Sequence, residues 1–345
     1  ETVVRDHAHE LSLNYNVNIL CVSKKFSFTT KFEIIDGIKI IRCSSFGTYF
    51  SMPISFSFFY HFWLTCKKGN ALYLHYPYPL SDLAHFLFFK GGKSVVYWHS
   101  DIIKQKKLKQ LITLLTNRML KKSQIWTSSE NLRVSSEFLS NYEEVKVLPL
   151  TVEDPVALSR DFVPVNFNNY FLFLGRLSYY KGIESVISAL ENENINQNVN
   201  VLIVGEGDLK NFIEERIAMG QIRCNVQFIN SFISDAQKRF LLHECSAFLF
   251  PSTHSSEAFG LTQVEALAFN KPIINTFLST GVPWVSLNGV TGFTINPGRV
   301  DELVNAINTL AEDFLKFGTN PRERYLDKFT SEYLKQRLAL FFDKC

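Results

Sequence analysis

Paired cysteines, long apolar runs and an excess of either charge are all missing from this sequence, and each absence removes a class of protein. The six cysteines, Cys21, Cys43, Cys66, Cys224, Cys245 and Cys345, are widely scattered. None sits at the short paired spacing that zinc ligands and dithiol redox motifs use, so no metal set and free thiols in a reducing, cytoplasmic compartment are expected. The longest aromatic-rich stretch, residues 55–65, follows Pro53 and is broken by His61. It falls well short of the ~20 apolar residues of a bilayer span, and no transmembrane helix is expected. Lys and Arg total 36 against 33 for Asp and Glu, a net charge of +3, which is too even for a dedicated nucleic-acid binder. There is no Pro/Gly-rich or single-letter tract either, and 46% apolar with 20% charged residues is the composition of a folded globular protein.

What is present points to two α/β domains. A chain of 345 residues exceeds what one core usually serves. Residues 1–16 carry no signal-peptide pattern; Val4, Ala8 and Leu11 recur at helical spacing, so an amphipathic helix opens the chain. Short β-branched or aromatic runs then alternate with longer amphipathic segments, the mark of βαβ units and parallel sheets. Strands are expected at residues 17–22, 38–43, 71–75, 94–98, 124–127 and 145–148. After residues 151–169, where Pro155 and Pro164 mark a linker, a second series is expected at 171–175, 199–204, 226–229, 247–250, 273–276 and 292–295. Helices are expected at 182–190, 209–219, 235–244 and 261–269. The domains are set at 1–155 and 165–325, with a tail at 326–345 whose helix, 331–342, would cross back to the first domain. In doubly wound sheets ligands bind outside the carboxyl ends of the strands, so residues just after strands are the candidates for function.

Two such segments carry charge in a useful order. GRLSYYKG puts Arg176 and Lys181 at a strand end and helix start, where two cations and the positive end of a helix can meet one diphosphate. Two ordinary surface cations are an equal reading of those residues alone. SSEAFGLTQVEALAFNKPIINT puts Glu257 in a strand-to-helix loop and Glu265 inside the helix. Between them Phe259, Gly260 and Leu261 stand at the helix N-terminus, where free N–H groups can hold an anion and Gly260 permits close approach. In the first half, WHSDIIKQK places His99 and Asp101 directly after a strand, and LHYPYPLSDLA does the same for His75, which reads as a packed turn. Glu130 with Ser128 or Ser129 reads as a helix cap. GEG at residues 205–207 lacks the third glycine of a dinucleotide fingerprint, which argues against a nicotinamide enzyme.

In this order and spacing, FLGRLSYYKGIESVISAL, EAFGLTQVEALA, VLIVGEGDL and LSTGVPWVSLNGVTGF resemble the retaining nucleotide-sugar glycosyltransferase family four, and the likeness spans nearly the whole chain. It is most similar to bacterial O-antigen and polysaccharide mannosyltransferase-type enzymes. The resemblance implies a GT-B fold, two Rossmann-like domains facing across a cleft, and transfer of a hexose, mannose favoured, from a GDP- or UDP-linked donor to a glycan or lipid-linked saccharide. It implies that Arg176 and Lys181 bind the diphosphate, Glu257 the sugar, Glu265 the ribose, and that His99 contacts the sugar near the reacting carbon. No cofactor or metal is implied. Relatives have a first strand and glycine-containing loop before the helix at residue 1, and this sequence starts after them. Two rival readings remain: a nucleotide-sugar 2-epimerase, and a non-catalytic nucleotide-sugar-binding scaffold protein.

One stretch is strongly one-signed. No acid falls between Asp101 and Glu130, while Lys104, Lys106, Lys107, Lys109, Arg118, Lys121 and Lys122 do. With the leucines between them they read as a helix on an anionic membrane surface or, equally, as a core-facing stripe with solvated lysines. The Phe-rich stretch 46–63 reads first as core and second as a groove for acceptor lipid.

Overall fold

The computed structural model describes residues 2–49, 52–68, 70–101, 109–155 and 163–342. The chain forms two compact units, the first from residues up to Pro149 together with those from Leu334 onward, the second from Leu150–Tyr333. The first contains α1 (Thr2–Ser12), β1 (Asn18–Val22), β2 (Lys31–Ile35), β3 (Ile38–Cys43), β4 (Thr48–Tyr49), β5 (Met52–Pro53), α2 (Phe56–Lys67), β6 (Leu72–Tyr76), α3 (Pro79–Phe88), β7 (Ser94–Trp98), α4 (Lys109–Leu120), β8 (Gln124–Thr127), α5 (Glu130–Ser135) and β9 (Val145–Val147).

Its strands β6, β7, β8 and β9 form a parallel sheet in that order. Every residue of β7 is buried, as expected of a central parallel strand covered on both faces. A second sheet has the order β1-β3-β2, with β3 parallel to β1 and antiparallel to β2. Sequence periodicity does not announce β2, because most of its side chains face outward. What makes it a strand is the Asp36-Gly37 turn, with φ of 50° and 77°, a pairing that closes tight hairpins. The stretch 46–63, read first as core, divides instead. Phe58 and Phe62 enter the core of the first unit, one helical turn apart on α2. Phe56, Tyr60 and Trp63 stay exposed at 71%, 56% and 38%, because a helix buries only the face that meets the sheet, and Phe46, in the loop after β3, is 40% exposed.

The second unit contains β10 (Phe171–Leu174), α6 (Ile183–Glu191), β11 (Asn200–Val204), α7 (Lys210–Ala218), β12 (Asn225–Ile229), α8 (Asp235–Glu244), β13 (Ala247–Leu249), α9 (Leu261–Ala268), β14 (Ile273–Thr276), α10 (Val282–Val285), β15 (Gly292–Ile295), α11 (Val300–Glu312) and α12 (Asn320–Lys328), with α13 (Ser331–Phe342) after it. Its six strands are all parallel, in the order β12-β11-β10-β13-β14-β15. Chain direction across the sheet therefore reverses between β10 and β13. Loops leaving neighbouring strands on either side of such a reversal diverge to opposite faces and leave a crevice. Inside, Val186 and Ile187 of α6 and Leu303 and Ile307 of α11 pack with Phe171, Ile203 and Leu249 of the sheet.

The two loops beside the crevice are fastened to each other. Thr253 N–H donates to the Tyr180 carbonyl at 2.9 Å. Gly182, at φ +75°, lies so near that a Cβ there would stand 1.9 Å from the Pro251 carbonyl oxygen. Gly182→Ala should therefore destabilise the second unit by about 3 kcal/mol, strain and clash together, lowering its melting midpoint by roughly 10 °C. Gly220, at φ +66° with open space around it, is the control. Gly220→Ala should show only the strain part, and equal losses in the two variants would refute the close approach as the cause.

Candidate functional site

Both charged segments singled out in the second half leave the strands that border the crevice. After β10, Leu177 is buried and pinned by its N–H to the Glu206 carbonyl at 2.8 Å, which leaves its neighbour Arg176 exposed. A short 3-10 turn, Tyr179–Lys181, then delivers Lys181. Its Nζ donates to Glu257 Oε2 at 2.5 Å, and the two side chains are only 18% and 12% exposed. The ammonium also lies 5.2 Å from the centre of the Phe250 ring, a favourable cation–π position. Lys181 and Glu257, 76 residues apart in sequence, thus neutralise each other.

The N-terminus of α9 completes this side. Gly260 caps it at φ +82° with no side-chain cap. A Cβ at Gly260 would meet the Phe250 ring at 2.7 Å and the Gln263 amide at 2.8 Å, so Phe250 touches both halves of the arrangement. Phe259 is buried with its ring near Trp284 and Phe329; what it presents to the crevice is backbone. Beneath the turn the buried Gln263 and Asn275 form a polar brace. Asn275 Nδ2 donates to Gln263 Oε1 and to the Val282 carbonyl, each at 2.9 Å, and Gln263 Nε2 reaches the Phe259 carbonyl at 3.3 Å. The hydroxyls of Ser178, Ser252 and Thr280, on the surrounding segments, are buried without a hydrogen-bond partner among the described residues.

Glu265, one turn into α9, accepts from Lys238 Nζ at 2.6 Å, and Lys238 also pairs with Asp235 at 3.1 Å. Burial opposes the charge on Lys238, but the Glu265 and Asp235 carboxylates outweigh it and hold the ammonium above the usual lysine range. Phe250, Lys238, Gln263 and Asn275 were not found by reading the sequence. The available signal was a polar residue within an apolar run, Asn275 in IINT and Gln263 in LTQVEALA, and a lysine just inside the helix after β12.

In the first unit His99 follows β7. Its Nε2 lies 2.9 Å from His75 Nδ1, with the rings stacked at 5.2 Å. His7 Nδ1 is 2.8 Å from the Tyr73 hydroxyl, and its ring is 5.8 Å from that of His75. Burial lowers His99 to about 4; burial, then the neighbouring His99, lowers His7 to about 3; burial and the neighbouring histidines push His75 well down. All three imidazoles are neutral near pH 7, so one nitrogen of the His75–His99 pair donates and the other accepts. His75, read as a packed turn, is thus also the partner that orients His99. Asp101, singled out beside His99, serves the fold instead. It accepts from Trp98 Nε1 at 2.8 Å, Ser136 Oγ at 2.6 Å and Glu137 N–H at 3.0 Å, which satisfies both carboxylate oxygens. Ser129 caps α5 by accepting from Leu132 N–H at 3.2 Å, as the cap reading expects. Of the basic patch Lys104–Lys122, residues 104–108 lie outside the described ones. Among the described residues no helix is long and apolar enough to cross a membrane.

The neutral histidines fix a pH dependence. Between their folded values, about 3 and 4 for His7 and His99, and the ~6.5 of an unfolded chain, the unfolded state binds more protons, so stability rises with pH across that window. The melting midpoint of the first unit should fall as pH is lowered through it. Asp82, raised by burial to about 7, contributes in the opposite sense, its stabilisation being lost as pH rises through that value. The readout is therefore the comparison with His7→Gln, which should flatten the acid-side fall. Identical pH profiles for the two proteins would contradict the assignment.

Comparison with known proteins shows the family of the chain. Residues 160–325 match the family described as glycosyl transferases group 1. The chain is 33% identical over 273 residues to O-antigen chain mannosyltransferase C of Escherichia coli, covering 75% of this chain and 71% of that one. It is 31% identical over 297 residues to D-rhamnosyltransferase WbpZ of Pseudomonas aeruginosa, covering 81% and 75%. Among solved structures, sucrose-phosphate synthase from Thermosynechococcus elongatus superposes with a TM-score of 0.72 at 18% identity over 99% of this chain and 92% of that one. A glycosyltransferase from Rickettsia africae does so with a TM-score of 0.72 at 17% identity over 99% and 94%. The fold is GT-B, and the chain belongs to the group 1 glycosyltransferases, of the bacterial O-antigen glycosyltransferase type.

Proposed function

We propose that this glycosyltransferase moves a hexose, with mannose favoured, from a GDP-linked donor to a hydroxyl of a glycan or lipid-linked saccharide in cytoplasmic steps of surface polysaccharide synthesis. The observation that carries the reading is the meeting of Lys181, Glu257 and the uncapped N-terminus of α9 at the reversal of strand order. A diphosphate in the crevice would draw Lys181 from Glu257, meet Arg176 and accept from the backbone N–H groups at Leu261. Glu257, released from its cation, would then be free to accept from sugar hydroxyls, and Glu265 from those of the ribose. Preference for mannose rests on the resemblance and on the name of the Escherichia coli relative.

The reaction breaks the bond between the anomeric carbon and the phosphate oxygen and forms one to the acceptor oxygen with the configuration retained. The acceptor proton passes to the departing diphosphate. Negative charge accumulates on that leaving group, and Arg176, Lys181 and the α9 amides are the groups proposed to stabilise it, in the role that a divalent cation fills elsewhere. His99, oriented by His75, is the proposed catalytic residue of the first unit. Being neutral, it can accept or donate a hydrogen bond to the sugar without adding charge.

Glu257→Gln and Lys181→Met should each abolish transfer and, by leaving the partner's charge unmatched, lower the melting midpoint by roughly 5–10 °C while the chain stays folded at 25 °C. Wild-type turnover in both would sink the site. His99→Ala should reduce kcat more than donor affinity. A thermal-shift screen against GDP- and UDP-sugars identifies the donor, since a ligand that binds the folded state alone at ~100 times its Kd stabilises by about 2.7 kcal/mol. Stabilisation by UDP-sugars alone would overturn the GDP assignment. Conversion of the donor without an acceptor would indicate the epimerase, and binding without any product the scaffold.

A further inference from the structure

The first unit carries an aromatic surface that its core does not use. Phe56, Tyr60 and Trp63 fall on one side of α2, opposite the buried Phe58 and Phe62, and Lys67 continues the row with its ammonium 5.0 Å above the Trp63 ring. At the N-terminal end of α2 the row runs on into the loops that follow β1 and β3. The Phe56 ring lies 5.7 Å from Phe46, Phe46 lies 6.3 Å from Phe28, and Phe28 lies 4.7 Å from Phe26. Phe26 and Phe28 are 58% and 76% exposed. Three chain segments therefore bring six large aromatic side chains to the surface as one connected strip.

In the segments that build the strip, cations outnumber acids. Between residues 11 and 81 the acids are Glu33 and Asp36, against Lys24, Lys25, Lys31, Lys39, Arg42, Lys67 and Lys68. Glu33 is neutralised by Arg42 at 3.1 Å, and Asp36 lies in the hairpin turn between β2 and β3. Exposed phenylalanines favour any apolar partner. Tyr and Trp beside lysines select an interface that is apolar within and anionic at its edge. Protein interfaces are depleted in lysine, and a second copy of this face would bring like charges together. A lipid bilayer with anionic headgroups offers both the acyl region for the rings and the phosphates for the lysines.

We propose that the strip formed by Phe26, Phe28, Phe46, Phe56, Tyr60 and Trp63 is a docking surface for an anionic lipid bilayer. The rings enter the boundary between headgroups and acyl chains, and Lys25 and Lys67 meet the phosphates beside them. This surface belongs to the first unit and does not depend on the identity of the donor.

The test is flotation of the full chain with vesicles of phosphatidylethanolamine and phosphatidylglycerol, or of phosphatidylcholine alone. The wild type should float with the anionic vesicles and bind the neutral ones about tenfold less. The combined variant Phe28→Ser, Phe56→Ser, Tyr60→Ser should lose about tenfold or more of the anionic-vesicle binding. Lys25→Glu with Lys67→Glu should lose a comparable share and abolish the salt dependence. Both variants should keep the wild-type melting midpoint and the same nucleotide-sugar thermal shift. A wild type that stays in solution with anionic vesicles, floats equally with neutral ones, or is matched by the serine variant would overturn the proposal. Failure of the donor reading would appear in the thermal shift and leave flotation untouched.

Discussion

The reversal of strand order between β10 and β13 is the constraint on which the second unit's chemistry depends. Parallel strands must be joined by crossovers, and crossovers leaving to opposite faces open the sheet at one point along its carboxyl edge. Every candidate residue on this unit follows from that opening. Arg176 and Lys181 leave on one side of it, Glu257 and the start of α9 on the other, and Phe250 lies against Lys181 on one hand and Gly260 on the other. Without the reversal these groups would be surface charges on separate loops.

Electrostatics at the crevice is, among the described residues, a matter of matched pairs. Lys181 is matched by Glu257 and Lys238 by Glu265 and Asp235. An uncompensated charge at such a depth would be destabilising. The pairs would also set the terms of the proposed binding: a diphosphate would have to compete with the Glu257 carboxylate for Lys181, which favours a ligand with concentrated negative charge and further contacts. In the first unit the solution is the opposite one. His7, His75 and His99 are kept without charge by burial, and hydrogen bonds with neighbouring rings replace ion pairing. One site is therefore built from exchangeable ion pairs and the other from neutral donors and acceptors.

Much of this was legible in the sequence, for a physical reason. Strands buried on both faces, such as FLFL and SVVYW, read as short apolar runs whatever surrounds them, and the segments proposed to bind phosphate follow such runs directly. Elements that depend on tertiary partners were not legible. β2 is a strand through its hairpin turn and its pairing with β3, with little apolar patterning of its own. Phe56, Tyr60 and Trp63 have the composition of a core but lie on the wrong side of α2 for one, and Phe46 sits in the loop after β3. Asp101 has the chemistry of a site residue, yet its oxygens are consumed by Trp98, Ser136 and Glu137. The mutual pairing of Lys181 and Glu257 was equally hidden, since spacing along a chain carries no information about which loops converge.

The contact of Gly182 with the Pro251 carbonyl has a consequence for redesign. Because the backbone after Lys181 lies against the backbone leading to Glu257, and Thr253 is hydrogen-bonded to Tyr180, the segments 175–182 and 250–260 are fitted to each other as one cassette. Transplanting either loop alone from a related enzyme to alter donor choice would set mismatched surfaces against each other. Moved together, with Phe250 and Gly260 retained, they carry their own registration into the new host.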